Sequence, residues 1–261
     1  MDLLRLAFLI TDNAIISVKV AGRNRRRKNS GNFFSNRTFF GILIRNDKGA
    51  DAMRYDNIIW DFDGTLFDTY PAMCRDLQQV MAGLGVQTEL ADLMARFTVS
   101  RETVLTWCGE LAGLPSQEID RAYRAWVAEH GQPEAHPFPH ARAFLERFRA
   151  AGGKNFVFTH RSGSVHDYLA GEGLTAYFTD VVSAGSTYAK KPDPAGNNHL
   201  ITAHGLDRGR TLAVGDRELD VLAAKRAGID ACLVDPALPE TAADWRVRDL
   251  GALDALVGLE D

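Results

Sequence analysis

Asp61 and Asp63 stand two residues apart where an apolar run, Asn57-Ile58-Ile59-Trp60, ends, and Gly64-Thr65 follows directly. In an extended chain, side chains i and i+2 point to the same side, so the two carboxylates could share one small site. Gly64 permits a tight departure of the backbone that a Cβ would resist. Two acids buried side by side are costly unless a cation or a shared proton compensates them. Taken alone, the pair also fits a strand running into an Asp-rich turn, so the rest of the chain must decide.

Other short apolar runs end in reactive residues too. Phe156-Val157-Phe158 runs into Thr159-His160-Arg161, and Val181-Val182 precedes Lys190-Lys191-Pro192-Asp193-Pro194. Leu212-Ala213-Val214 ends in Gly215-Asp216, after which Arg217-Glu218-Leu219-Asp220 opens a helix. Asp216 alone would also serve as a helix N-cap. If these strands are parallel, their ends reach one edge, where parallel α/β sheets bind ligands. Two or three acids, one hydroxyl and one lysine there suit a divalent cation and a phosphoryl group. Mg²⁺ is a hard ion commonly held by a few carboxylates plus substrate phosphate, and an ammonium offsets phosphate charge. The Pro-x-Pro that follows favours Lys191 over Lys190 for this task.

The elements that must position these residues fall into two kinds. From residue 136 onward, strands of three to five apolar residues alternate with helices, which implies βαβ units and a parallel sheet. From Pro71 to about Gln132 the period is helical throughout. Met73, Leu77, Val80 and Met81 mark one helix, and Leu90, Leu93 and Phe97 a second. Ser100 opens a third through Val104, Leu105, Trp107 and Cys108, and Ser116 a fourth carrying Ile119, Tyr123 and Trp126. Four helices with short loops form a compact helical unit, with Trp107 and Trp126 as parts of its core. His130, His136 and His140 bracket its exit at a spacing that fits no metal motif, and Pro137 and Pro139 mark a hinge instead.

The 261 residues are 46% hydrophobic and 25% charged, as in an ordinary globular protein. Cys74, Cys108 and Cys232 are scattered, which points to reduced thiols and a cytoplasmic address. No apolar stretch approaches the roughly 20 residues of a membrane span. Residues 1–52 hold ten Lys/Arg against four Asp/Glu, so with a net charge of −4 the remaining 209 residues carry −10. That acidic body offers no nucleic-acid footprint. The basic residues near 23–28 follow the apolar stretch 3–10, the reverse of a secretory signal. Residues 1–52 are expected to be a poorly ordered extension, and Met53 would place the first strand at the start of a shorter chain.

These residues resemble the haloacid dehalogenase superfamily, in its phosphoglycolate-phosphatase-like branch with a helical cap. Asp61-Phe62-Asp63-Gly64-Thr65, Thr159, Lys191-Pro192-Asp193-Pro194, and Gly215-Asp216 with Asp220 stand in the family's order across residues 55–235. The resemblance implies a Rossmann-like parallel core (53–69 and 136–261) flanked by helices, with an inserted all-helical cap (70–135). It also implies roles. Asp61 is the expected nucleophile, forming an aspartyl-phosphate, and Asp63 the acid and then the base. Thr159, with neighbouring amides, and Lys191 are the expected phosphate binders. Asp61, the main-chain carbonyl of Asp63, and Asp216 are the expected Mg²⁺ ligands, supported by Gly64, Thr65 and Asp220.

His160-Arg161 departs from the family, which often has Asn or a small residue after the Thr. His160 is expected to contact the phosphoryl or leaving group, or else to stack at the sheet edge. Asp63 favours phosphoryl transfer over carbon–halogen cleavage. Residues 70–135 contain no lysine, which disfavours the phosphonate-cleaving branch. The expectation is a Mg²⁺-dependent phosphatase of a small phosphorylated metabolite. The alternatives are a phosphomutase of the same chemistry and a non-catalytic protein that binds a phosphorylated ligand.

Overall fold

The computed structural model describes residues 7–11, 14–18, 53–234 and 241–259. Within residues 1–52, Ala7–Thr11 (β1) and Ala14–Val18 (β2) pair antiparallel. No strands were expected in this part of the chain. The expectation of a poorly ordered extension otherwise lies outside the described residues.

Residues 53–259 are built on a six-stranded, all-parallel sheet. Its strands are Asn57–Trp60 (β3), Lys154–Phe158 (β4), Phe178–Val182 (β5), Thr211–Gly215 (β6), Asp230–Val234 (β7) and Trp245–Val247 (β8). Their spatial order is β5-β4-β3-β6-β7-β8. The chain therefore builds outward from β3 on one side, then returns and builds outward on the other. That reversal makes the carboxyl end of β3 the topological switch point, where open α/β sheets leave a crevice for ligands.

The apolar, β-branched and aromatic residues of β3 suit a strand buried on both faces. Ile58 and Trp60 pack into one apolar layer with Phe144, Phe148 and Val214, while Ile59 packs into the other with Phe156, Phe158 and Leu200. Trp60 is fully buried, and its Nε1 donates to Asn155 Oδ1 at 2.9 Å, so its one polar atom is satisfied. Emptying that position by Trp60→Ala would cost about 3–5 kcal/mol. Core helices Ala141–Ala150 (α5), Ser164–Gly171 (α6), Ala195–His204 (α7), Glu218–Arg226 (α8) and Leu253–Val257 (α9) complete the α/β unit.

Four helices interrupt the chain between β3 and α5: Tyr70–Gly83 (α1), Leu90–Phe97 (α2), Arg101–Ala112 (α3) and Ser116–His130 (α4). They share an apolar core of their own that includes Leu77, Met81, Leu93, Val104, Cys108 and Ile119. Trp107 and Trp126 pack against it, as expected. The two linkers to this cap run side by side: Asp68 N–H donates to His136 O, and Phe138 N–H to Leu66 O, each at 3.0 Å. Phe67 bridges Pro137, which places the crossing at the residues read as a hinge. The three histidines near it are dispersed: His130 stacks on Trp126, His136 meets Glu172, and His140 precedes α5.

Candidate active site

Strand register carries the sequence motifs to one edge. Trp60 lies opposite both Val157 and Val214, so Asp61, Thr159 and Asp216 all follow within two residues of one level of the sheet. Asp61 N–H continues the ladder to Val214 O at 2.8 Å, which fixes its backbone against β6. Gly64 then turns the chain with φ of +80°; a Cβ there would lie 2.4 Å from the Tyr70 ring and 2.6 Å from Asp216 Oδ2. Both the conformation and the space call for glycine.

Asp61 is almost fully buried. Its Oδ1 accepts from Lys191 Nζ at 2.6 Å, and the same ammonium donates to Asp220 Oδ1 at 2.7 Å. Asp220 Oδ2 accepts from the Arg217 amide at 3.1 Å, so both Asp220 oxygens are engaged. Asp61 Oδ2, in contrast, is buried with no hydrogen-bond partner among the described residues. Lys190 is exposed, while Lys191 is buried in the cluster. Carboxylate oxygens of Asp61, Asp216 and Asp220 lie within 4.8 Å of one another.

Three carboxylates sharing one ammonium and a neighbouring guanidinium leave an unfavourable excess of negative charge. Burial pushes Asp61 up to about 6 against the pull of Lys191, with Asp220 adding to the rise. Asp216 is pushed up to about 7, first by burial and then by the charges of Asp61 and Asp220. Burial works against the Lys191 ammonium, yet Asp220 and Asp61 outweigh it and hold its pKa above the ordinary lysine value. Seen from Lys191 the pair is favourable, and seen from Asp61 it is strained. The two agree because burial raises Asp61 more than Lys191 lowers it, and Asp220 adds to the rise. Carboxylates crowded within 4.8 Å, with more negative charge than the neighbouring cations offset, are chemistry that a divalent cation relieves, so the residues present fit such an ion.

Tyr70, the first residue of α1, closes this edge from the cap. Its hydroxyl lies 2.9 Å from the Asp63 carbonyl oxygen and 2.9 Å from Asp216 Oδ2. Burial first, then Asp216, raises its pKa well above the ordinary tyrosine value, so it stays a donor. Asp216 Oδ1 accepts from Thr65 Oγ1 at 3.0 Å. Asp63 has a different environment: its Oδ1 accepts from Thr69 Oγ1 at 2.7 Å and from Arg161 Nε and Nη2 at 2.9 and 2.5 Å.

Thr159 is buried, and its Oγ1 accepts from the Arg161 amide at 3.0 Å. His160, expected among the phosphate contacts, uses its Nε2 to accept the Lys191 amide at 2.8 Å. Burial, with help from Lys191 and Arg217, pushes its pKa down to about 4. The neutral ring thus orders the loop that delivers Lys191. Tyr70 and Arg161 carry no assigned role in the sequence, and Thr69 reads only as part of the first cap hinge, Phe67-Asp68-Thr69. Their proximity to the motifs, directly after Asp68 and two residues after Thr159, was the available signal. A groove of about 470 Å³ on the cap, lined by Arg96, Ser100, Trp107 and Glu110 among others, shares no residue with this cluster.

The fold agrees with what comparison with known proteins finds. Residues 58–234 match the family described as haloacid dehalogenase-like hydrolase, and the chain belongs to it. A phosphoglycolate phosphatase of Vibrio vulnificus is 30% identical over 183 residues, spanning 66% of this chain and 79% of the relative. In fold, the chain resembles the crystal structure of a predicted phosphoglycolate phosphatase from Haemophilus somnus, with a TM-score of 0.69 and 20% identity. That match covers 78% of this chain and 98% of the other. A subfamily IA hydrolase of the same superfamily from Geobacter sulfurreducens gives a TM-score of 0.62 at 24% identity, covering 80% and 99%.

Proposed function

We propose that this protein is a Mg²⁺-dependent phosphatase that hydrolyses a small-molecule phosphate monoester through an aspartyl-phosphate, in the manner of a phosphoglycolate phosphatase. The observation that carries this reading is Asp61. One of its oxygens is held by Lys191, and the other is buried, unpartnered and at the switch point of the sheet. A carboxylate so oriented has one oxygen free to attack phosphorus.

In the first step Asp61 Oδ2 bonds to phosphorus, the ester P–O bond breaks, and Asp63 gives its proton to the departing oxygen. In the second step water attacks the same phosphorus, its proton passes to Asp63, and phosphate leaves Asp61. The Lys191 ammonium lies against Asp61 Oδ1, where it offsets charge gathering on the phosphoryl oxygens. The Thr159 hydroxyl and nearby amides at the strand ends supply donors to those oxygens. The cation would be held by Asp61, Asp216 and the Asp63 carbonyl, with Asp220 holding Lys191 in place. When bound, it contributes fixed positive charge beside the transferring group.

Burial of Asp61, Thr159 and Lys191, with Tyr70 of α1 against Asp216, supports a cap that opens to admit substrate and closes to exclude water. A small metabolite fits such an enclosed site better than a protein does. Three free, buried cysteines fit a reducing, cytoplasmic setting, and no helix among the described residues is long and apolar enough to cross a membrane. The test is hydrolysis of p-nitrophenyl phosphate and of a metabolite panel, with Mg²⁺ and with EDTA. Phosphate release lost in EDTA and reduced at least about 10³-fold in Asp61→Asn is expected. Transfer to a second hydroxyl without free phosphate would point to a mutase, and binding without turnover to a non-catalytic protein.

A further inference from the structure

Three donors grip one oxygen of Asp63. Arg161 Nε and Nη2 and the Thr69 hydroxyl all reach Oδ1, at 2.9, 2.5 and 2.7 Å, and none reaches Oδ2. An arginine facing a carboxylate commonly engages both oxygens in a fork. Here both N–H groups converge on a single oxygen, and no hydrogen bond from the described residues reaches the second.

Arg161 is itself fixed in place. Its side chain is 7% exposed. The guanidinium lies 4.8 Å from the Tyr168 ring centroid and 5.7 Å from that of Phe62, and Nη2 approaches Met73 Sδ at 3.4 Å. Burying a cation and freezing a long side chain are both unfavourable. The aromatic faces and Asp63 offset that cost only in this one arrangement. Asp63 is the sole acidic partner of Arg161 in an ion pair among the described residues, so the guanidinium is not one of the charges serving Asp61 and Asp216.

We propose that Arg161 is a positioning residue for proton transfer by Asp63: it clamps Oδ1 so that Oδ2 faces the leaving oxygen of the substrate. The proposal rests on the phosphatase reading above. The terminal carboxylate torsion of an aspartate is broad and nearly two-fold, so an unclamped Asp63 would spend much of its time misaligned. The proton itself moves as already described, from Asp63 to the departing oxygen and later from water back to Asp63. Arg161 gains and loses none. Its effect must therefore scale with how much protonation the leaving group needs.

The experiment compares kcat/KM on two esters, p-nitrophenyl phosphate, whose leaving group departs without a proton, and benzyl phosphate, whose leaving group requires one. Arg161→Met should lower kcat/KM on benzyl phosphate by roughly 100-fold, the scale of general-acid assistance. On p-nitrophenyl phosphate the loss should be at most about threefold, and Arg161→Lys should recover part of the benzyl phosphate rate. An equal loss on both esters, or none, overturns the assignment. Should Arg161→Met fail to fold, Thr69→Val removes another donor from the same oxygen and must shift the ratio in the same direction; an unmoved ratio also overturns it. If the unmodified protein turns over both esters and only the ratio fails to move, Arg161 alone is misassigned. If it turns over neither, the phosphatase reading falls and the Arg161 assignment falls with it.

Discussion

The Tyr70 hydroxyl stands 2.9 Å from Asp216 Oδ2, joining the first residue of the cap to a carboxylate of the core 146 positions later in the chain. The same hydroxyl is equally close to the Asp63 carbonyl. It therefore competes for two of the three oxygens proposed to hold the divalent cation. Tyr70→Phe removes that competitor while keeping the ring that covers Gly64. Calorimetric titration of Mg²⁺ into this variant should give a Kd about tenfold tighter, the size of one hydrogen bond to a charged group. An unchanged Kd would show that the hydroxyl does not compete.

Proton and cation must also compete at the carboxylates. Asp216 and Asp61 are pushed up to about 7 and about 6, above the ordinary aspartate value of 3.8. Raised folded values mean that their stabilising contribution is full below the unfolded pKa and is lost as pH rises through 6 to 7. His160, pushed down to about 4, works in the opposite direction between its ordinary value of 6.5 and 4. Measuring the rise in melting temperature caused by Mg²⁺, relative to EDTA, largely cancels the histidine. That rise should be small near pH 5.5 and grow towards about pH 7.5, because bound cation requires both carboxylates deprotonated. A Mg²⁺ shift that is flat with pH would contradict the raised values.

Lys191 is the shared partner of Asp61 and Asp220, and all three side chains are at most 5% exposed. Lys191→Met keeps the unbranched stem up to the ε position but leaves two buried carboxylates without the ammonium. Urea unfolding of the cation-free variant should show a loss of about 3–5 kcal/mol, as for breaking one end of a buried ion pair. A loss below about 1 kcal/mol would mean that the cluster had taken up protons or water in place of the ammonium.

The folded α/β unit engages its own C-terminal segment from residue 53 onward. Arg54 N–H donates to Val257 O at 2.8 Å, and Met53 O accepts from Arg210 Nη2 at 2.8 Å. A protein beginning at Met53 keeps these contacts and every residue of the site. It should retain the activity and melting temperature of the full chain, as turnover assays and thermal melts can check. A large loss of either would give residues 1–52 a role in this unit.

Much of this site could be read from the sequence because strand ends announce themselves. Asp61 and Thr159 follow directly on short apolar runs and Asp216 one glycine beyond another, and the order of the runs implied one parallel edge. The four cap helices were visible through their apolar spacing, which their shared core reproduces. Arg161, Thr69 and Tyr70 gave no such signal. Arg161 meets Asp63 across 98 residues of chain, and its residue type alone would equally fit a solvated loop. His160 shows another limit: its Nε2 accepts the Lys191 amide across 31 residues of chain, a contact that its place beside Thr159 does not announce. The pairing of β1 with β2 was missed because two five-residue strands carry little periodicity to set against a strongly basic neighbourhood.

The side-by-side linkers at Phe67 and Pro137 make the cap a cassette. The chain leaves the sheet and returns at nearly the same point, so all of the residues between them could be exchanged without reordering a single strand. Among the described residues, Thr69 and Tyr70 are the ones that touch Asp63 or Asp216 and would travel with or beside the exchanged piece. Substrate choice can therefore diverge by replacing the cassette while Asp61, Asp63, Lys191 and Asp216 keep one inherited geometry.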